Sequence, residues 1–214
     1  LTEQAALEVE SLLDLATSRY SNANLTYHYR SKYEELINFS NYAFYDEKLQ
    51  IAPNISKNVY KPIERIKVNG KWHDRKNHEE AVEVVKLIRR IFETRTNNQT
   101  IGVITFNTEQ EHYIADIIDI ECQKDPEFKN MYLKETARKE NGEDTGLFIK
   151  NIENVQGEER DIIIFSIGYA KNERGKVVAQ FGPLSMEGGE NRLNVAITRA
   201  KEKIYLVTSI EPED

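Results

Sequence analysis

The chain has 214 residues, of which 30% are charged and 39% hydrophobic, and its formal net charge is −7. This length suits one α/β domain with a substantial core, and no apolar run approaches the ~20 residues that cross a bilayer. Proteins that coat duplex DNA are usually basic, so the acidic balance disfavours that class and leaves only a local single-strand groove.

Strand-like and helix-like segments alternate along the chain. Residues 1–23 form an acidic, amphipathic lead-in that lacks the basic start of a secretion signal and is predicted to be helical. Apolar, β-branched runs predict strands, and apolar residues at helical spacing predict helices. The predicted strands are 24–29, 63–68, 100–106, 147–150, 161–169 and 203–209, and the predicted helices are 32–45, 77–94, 108–123 and the segment that begins at 191.

This alternation predicts one α/β domain, residues 1–214, with a mainly parallel sheet covered by helices on both faces. The polar stretch 123–146 reads as an insertion that is part helix and part loop. Ligand-contacting residues in such sheets lie beyond the carboxyl ends of the strands. That rule predicts one shared edge for Arg30, residues 105–107, residues 154–159 and the loop 170–190.

The phosphate-binding loop G-x-x-x-x-G-K-[ST] is absent from the sequence. Both Gly-Lys pairs, at 70–71 and 175–176, are followed by residues other than Ser or Thr. A self-sufficient P-loop ATPase is therefore excluded. Because the chain opens on Leu1 rather than Met, we expect it to be a fragment of a longer protein.

Metal and thiol chemistry find little support. His73, Asp74 and His78 are interleaved with basic residues, and Asn77 with Glu80 forms a helix-cap pattern, which favours a solvated turn over a metal site. The single cysteine, Cys122, excludes an internal disulfide, fits a reducing cytoplasm and is interpreted as structural.

The segment "NRLNVAITRAKEKIYLVTS", residues 191–209, carries Arg192 and Arg199 with no acid between them. On a helix the two would lie on nearly one line. They are either surface arginines with acidic partners elsewhere or, together with Arg30, guanidinium groups that stabilise charge on a transferring phosphoryl group. We favour the second interpretation and expect these arginines to lack partners within the chain.

A second cluster is "NVQGEERD", residues 154–161. Gly157 permits a tight turn ahead of an apolar strand, and Glu159 lies at the mouth of that strand. The segment is either a hydrophilic turn or a platform that contacts a ribose or orients an attacking water.

Four ordered segments resemble the later motifs of superfamily 1 helicases, in particular the RNA/DNA branch that translocates 5′ to 3′. They are "LTYHYRS", "IGVITFNTEQ", "NIENVQGEERDIIIFS" and "GGENRLNVAITRAKEKIYLVTS", and they extend over residues 25–209. The resemblance implies a RecA-like fold and identifies the chain as the second RecA-like domain of such a motor. The first domain, which carries the P-loop, would be absent from this chain and would hold most of the ATP and Mg²⁺.

The resemblance also implies roles for individual residues. Arg30 and Arg199 would be arginine fingers that reach the γ-phosphate of ATP across the domain cleft. Glu159 would contact the nucleotide, Gly157 would shape that turn, and Arg192 is assigned to the same nucleotide site.

Residues Thr105, Asn107, Asn154 and Gln156 would face single-stranded DNA or RNA, with Gln156 coupling the strand groove to the nucleotide site. Where the family has Pro-Tyr after the threonine, this chain has Phe106 and Asn107. Asn154 also departs from the family's Ser or Thr.

Two other functions remain open from the sequence. One is a non-catalytic module that binds nucleic acid or protein and keeps the RecA-like shape. The other is an α/β scaffold in which these motifs serve packing only. A binding module has no need of γ-phosphate ligands, so the joint presence of Arg30, Glu159 and Arg199 favours the motor domain.

Overall fold

The computed structural model describes residues 12–21, 23, 26–51, 61–95, 97–177 and 181–211. The strands in chain order are β1 Tyr27–His28, β2 Gln50–Ile51, β3 Ile63–Lys67, β4 Ile101–Thr105, β5 Lys139–Glu140, β6 Glu143–Asp144, β7 Phe148–Asn151, β8 Arg160–Ser166 and β9 Ala200–Thr208. The α-helices are α1 Leu12–Thr17, α2 Glu35–Phe44, α3 His78–Thr94, α4 Thr108–Lys124, α5 Pro126–Thr136 and α6 Gly189–Ile197, with 3₁₀ turns at Ile152–Asn154 and Gly182–Ser185.

The central sheet has five strands in the order β3-β9-β8-β4-β7, and every pairing in it is parallel. Side chains of β8 alternate between two cores: Ile162 and Ile164 pack with α3, α4 and α5, whereas Ile163 and Phe165 pack with α2 and α6. This two-faced burial explains why the strand is apolar throughout. The predicted three-layer α/β fold is confirmed.

Side-chain caps define where the long helices begin. Asn77 accepts a hydrogen bond from the amide of Glu80 at the start of α3, which confirms the predicted cap. Asn107 caps α4 by accepting from the amide of Gln110. Each cap satisfies a backbone donor that would otherwise be left without a partner at the helix end.

The polar stretch 123–146 contains α5 and the β5–β6 hairpin. Phe128 of α5 is fully buried in the core, and the buried Glu135 pairs with Arg95 and Arg138. Of the lead-in 1–23, residues 1–11 and 22 lie outside the described residues, and residues 12–17 form α1. In the part of the chain that the structure describes, no helix is long and apolar enough to span a membrane.

Gly102, the second residue of β4, has no room for a side chain. A Cβ atom at this position would lie 2.4 Å from Cζ of Phe148 on β7 and 2.9 Å from Cδ1 of Ile163 on β8. Overpacking of this kind costs about 1–3 kcal/mol. We therefore expect Gly102→Ala to lower the free energy of unfolding by that amount in urea denaturation.

The clash also predicts which second change compensates. Because Phe148 is the nearest neighbour, Phe148→Leu in the Gly102→Ala background should recover part of the lost stability. Losses that simply add in the double variant would contradict this packing.

Candidate nucleotide and nucleic-acid site

Four residues that the helicase resemblance assigns to ATP lie together at the amino ends of β8 and β9. Glu159 immediately precedes β8, and Arg199 immediately precedes β9. Gly157 has a φ of +86°, which glycine adopts without strain, in the turn that leads to Glu159. Arg30 joins the group from the segment that follows β1.

Main-chain contacts hold the Arg30 segment against β9. The amide of Lys32 donates to the carbonyl of Lys201 at 2.7 Å. The hydroxyl of Ser31 donates to the carbonyl of Ala200 at 3.3 Å. These bonds fix the position of Arg30 beside a strand from which it is far separated in sequence.

Two cations flank the Glu159 carboxylate. Nε of Arg30 donates to Oε2 at 2.7 Å, and Nζ of Lys201 lies 3.0 Å from Oε1. Burial alone would raise the pKa of Glu159, but the bonds from Lys201 and Arg30 outweigh it and lower the pKa below its usual range. The carboxylate is therefore ionised at neutral pH and orients both cations.

Arg199 is held by oxygens rather than by a carboxylate. Its guanidinium donates to the carbonyls of Val195 at 2.8 Å and Glu158 at 3.3 Å, and to the Thr198 hydroxyl at 3.0 Å. Burial and the neighbouring Arg30 lower its pKa, although an arginine stays charged. Within the described residues Arg199 forms no ion pair, so its charge is balanced only by the more distant Glu159.

The expectation that the arginines lack partners within the chain is thus wrong for two of them. Arg30 is paired with Glu159, and Arg192 lies 4.0 Å from Glu153 and donates to the carbonyl of Glu187. The expected alignment of Arg192 with Arg199 also fails, because α6 ends at Ile197 and Arg199 lies in the turn beyond it. Neither of these two contacts of Arg192 involves the Arg30 cluster.

The prediction of one shared edge is also wrong. Glu159 and Arg199 come just before their strands and lie at the amino edge of the sheet, whereas Thr105 ends β4 at the carboxyl edge. The loop 152–159 connects these edges, because it leaves the carboxyl end of β7 and enters the amino end of β8. Thr105 and Asn107 therefore lie at the edge opposite Glu159 and Arg199, whereas Asn154 and Gln156 lie on the loop that connects the two edges.

The residues predicted to contact single-stranded nucleic acid differ in how deeply they are buried. Thr105 is fully buried and donates to the carbonyl of Asn107, and Asn107 is 5% exposed and caps α4. Thr105 therefore serves the fold, which corrects its predicted place on the groove surface, whereas Asn107 caps α4 and also lines a cleft at the carboxyl edge. Asn154 and Gln156 are exposed on the loop between β7 and β8.

Lys201 is the residue of this cluster that the sequence analysis missed. It is the second residue of β9, two positions after Arg199, and from there its Nζ reaches Glu159. Both residues are visible in the motif "TRAK". Their arrangement follows only if the strand begins at Ala200, whereas the predicted strand began at residue 203.

The described residues contain no group of three His, Cys, Asp or Glu side chains placed to hold a metal ion. His73 lies 3.1 Å from Asp74 in an exposed turn, while His78 contacts the Tyr113 hydroxyl at 2.8 Å. Cys122 is half-buried against the core, and burial raises the pKa of its thiol.

The chain is similar to curated proteins and to solved structures. The uncharacterized ATP-dependent helicase MG140 of Mycoplasma genitalium is 40% identical over 214 residues, and its homolog in Mycoplasma pneumoniae is 39% identical over 212. Each match covers 99% of this chain and 18% of the relative, so the chain spans less than a fifth of either relative.

Among solved structures, the C-terminal domain of a possible DNA helicase from Lactobacillus plantarum is matched over 86% of this chain and 90% of its own, with 13% identity and a TM-score of 0.46. T. fusca Cas3 is matched over 75% of this chain and 20% of its own, with 10% identity and a TM-score of 0.37.

A family model described as an AAA domain matches residues 8–211, which is nearly the whole chain. This match and the two helicase relatives confirm the predicted resemblance to a RecA-like helicase domain. The chain therefore belongs to the AAA domain family.

Proposed function

We propose that this chain is the second motor domain of an ATP-dependent helicase or translocase, and that it supplies arginine fingers to ATP held by a first RecA-like domain. The observation that carries the proposal is the cluster at the amino edge of the sheet, where Arg30 and Lys201 bind the Glu159 carboxylate and Arg199 lies nearby without an ion pair in the described residues. The full-length relatives, named as ATP-dependent helicases, support the same assignment.

The cluster fits a polyphosphate in charge and in donors. Three cations face one carboxylate, so the group carries a net charge of about +2. Glu159 occupies Nε of Arg30, and no bond within the described residues engages the two terminal nitrogens of that side chain. These nitrogens and the Arg199 guanidinium are planar donors suited to phosphate oxygens.

Each residue then has a defined task. When bound, ATP supplies the phosphoryl bond whose hydrolysis drives the motor, and Mg²⁺ would be held mainly by the first domain. Arg199 and Arg30 stabilise negative charge on the γ-phosphate, Glu159 orients Arg30 and Lys201, and Gly157 shapes the approach. Because such contacts exist only while the two domains are closed, they link nucleotide state to domain position.

We further propose that single-stranded DNA or RNA lies along the carboxyl edge, with Asn154 and Gln156 among its contacts. These side chains are exposed and polar on the loop that runs from the carboxyl end of β7 to the amino end of β8. The loop thereby offers a physical connection between the strand and Glu159. A nucleic-acid motor with a free thiol at Cys122 also fits a reducing cytoplasm.

Removing these two loop side chains should weaken strand binding without loss of stability. We expect Asn154→Ala with Gln156→Ala to raise the Kd for a labelled single strand about three- to tenfold, the effect of losing one or two hydrogen bonds. Fluorescence anisotropy measures this, with exposed Asn130 of α5 changed to alanine as the control. An unchanged Kd would remove the loop from the strand groove.

The experiment that tests the proposed function compares ATP hydrolysis by this chain alone with that by a longer version containing the first RecA-like domain. Each is assayed with and without single-stranded DNA and RNA. Activity only in the longer protein, stimulated by one polymer, is the expected result and names the polymer. Hydrolysis by this chain alone contradicts the assigned nucleotide site. If neither protein hydrolyses ATP, the result supports a non-catalytic binding module.

A further inference from the structure

A second cleft, of about 440 Å³, opens at the carboxyl edge of the sheet, away from the arginine cluster. Its lining comes from the turn before α3, the loop after β8, the cap of α4 and the Gly182–Ser185 turn. The residues that matter here are Trp72, Arg75, Asn107, Tyr169, Gly182 and Met186. This volume is in the range of sites that take small organic ligands, about 300–1,000 Å³.

We call this cleft the Trp72 cleft. One of its walls is a stack of aromatic rings. The rings of Trp72 and Tyr169 stack with centroids 4.7 Å apart and planes 26° apart, and Phe181 packs edge-on against Tyr169 at 5.0 Å. Tyr169 is 3% exposed and forms the base of the stack, while Trp72 is only half-buried. The amide of Trp72 donates to the carbonyl of Lys171, which holds the indole in place.

The cleft also contains a buried donor without an acceptor. Oδ1 of Asn107 accepts from the amide of Gln110, and this bond fixes which way the side-chain amide points. Its nitrogen, Nδ2, is buried and meets no acceptor with hydrogen-bond geometry within the described residues, although Asn107 lines the cleft. Burial raises the pKa of the Tyr169 hydroxyl, and the Asn107 amide is near enough to that hydroxyl to oppose this larger effect. An unsatisfied buried donor is costly, about 1–3 kcal/mol, so a carbonyl oxygen on a ligand would be favoured there.

The segments around the opening are basic in a chain that is acidic overall. Residues 69–77 and 170–177 together contain six Lys or Arg and two Asp or Glu, a local balance of +4 against −7 for the whole chain. The basic residues are Lys71, Arg75, Lys76, Lys171, Arg174 and Lys176. Arg75 lines the cleft itself and pairs with Glu109 at 2.7 Å, whereas Lys71 and Lys171 line an adjoining cleft. Aromatic faces bordered by such charge are the usual elements of a single-strand binding surface.

We propose that the Trp72 cleft binds one unpaired nucleobase of the single strand, stacked on the aromatic wall, with a base carbonyl accepting from Asn107 Nδ2 and the flanking phosphates on the basic rim. This rests on the proposed function, because it gives the bound strand an anchored base. A polyphosphate alone would leave the aromatic wall and the buried amide unused. An apolar side chain of a protein partner would leave the amide and the basic rim unused.

The chain provides its own probe for this site, because Trp72 is its only tryptophan. We would titrate the chain with a short oligothymidylate and with an abasic oligonucleotide of the same length, and follow indole emission. Stacking of a base on Trp72 should quench the emission with the first polymer and leave it unchanged with the second, which carries the same phosphates. Equal responses would overturn the proposal in favour of phosphate contact alone.

Variants test the same point by affinity. Trp72→Ala should weaken binding of labelled oligothymidylate about tenfold, the usual size of one base–aromatic stack, and Trp72→Phe should restore most of it if the ring is what matters. Tyr42→Ala, which removes a 75% exposed ring from α2, is the matched control and should bind normally. Normal binding by Trp72→Ala, together with unquenched indole emission in the unmodified chain, would overturn the nucleobase assignment and leave the cleft to a protein side chain. If the unmodified chain binds no single strand at all, the proposed strand groove is overturned as well.

Discussion

Replacing Arg199 with alanine is expected to lower ATP hydrolysis by the longer protein about a thousandfold or more, the range known for arginine fingers. The side chain is charged, half-buried and without an ion pair in the described residues, so its charge is available to a phosphate. Its hydrogen bonds to the chain go to two carbonyls and one hydroxyl. Water can replace these bonds, and the stability lost should be near 1 kcal/mol.

The comparison variants decide what the loss means. Arg199→Lys keeps the charge without the planar fork and should recover only part of the rate. Arg90→Ala removes an exposed arginine from α3 and is the matched control. Hydrolysis within tenfold of normal in Arg199→Ala, measured on protein shown by circular dichroism to be folded, would refute the finger.

Arg192→Ala separates the structure from the sequence interpretation. The resemblance placed Arg192 at the nucleotide, but its described contacts are Glu153 and Glu187. We therefore expect its loss to change the hydrolysis rate by no more than about threefold, less than the effect of one neutral hydrogen bond in the transition state. A loss as large as that of Arg199→Ala would return Arg192 to the site.

Much of the fold followed from the order of hydrophobic patterns. The 17-residue helix α3 was predicted almost to the residue, because an apolar stripe and the Asn77 cap agree. Strand β8 was predictable because both its faces are buried. What could not be predicted was where β9 begins: its first three residues, "AKE", look like the end of a helix, although they pair with β8 from Ala200 onward.

The residue at which β9 begins determines how the site residues are arranged. If Arg199 were on the helix, it would line up with Arg192. In the turn before β9 it lies instead beside Arg30 and Glu159, while Arg192 contacts Glu153. The pairing of Arg30 with Glu159 joins residues 129 positions apart, a distance that no local pattern spans. The identity of the site residues came from the resemblance, and their arrangement came only from the structure.

The burial of individual polar side chains was also not predicted from the sequence, and the clearest case is Glu80. It was assigned to the cap of α3, yet its carboxylate is fully buried and accepts from the amides of Gly168 and Ser209 at 2.7 and 2.8 Å. Asn77 and Ser166 are its other partners. Glu80 thus joins α3 to the ends of β8 and β9, directly beneath the loop that carries Tyr169.

This position should make stability depend on pH in an unusual direction. Burial raises the pKa of Glu80 from 4.5 to about 7, against the opposing effect of its hydrogen bonds. The folded state therefore holds a proton that the unfolded state releases, and stability falls as pH rises from about 4.5 to about 7 and is flat above that. With about 1.4 kcal/mol per pH unit, the loss is about 3 kcal/mol.

Glu80→Gln removes the titration, so the difference in unfolding free energy between wild type and variant is the quantity to measure. Other carboxylates, such as Glu135 and Glu159, have lowered pKa values and act in the opposite direction, but they are common to both proteins and cancel. In urea unfolding, the free energy of unfolding of the wild type should fall by about 3 kcal/mol relative to that of Glu80→Gln when the pH is raised from 4.5 to 8. Glu79→Gln, its exposed neighbour on α3, should show no such change. A difference that stays constant with pH would mean that Glu80 remains ionised in the folded protein, its charge held by the two amides that bind it.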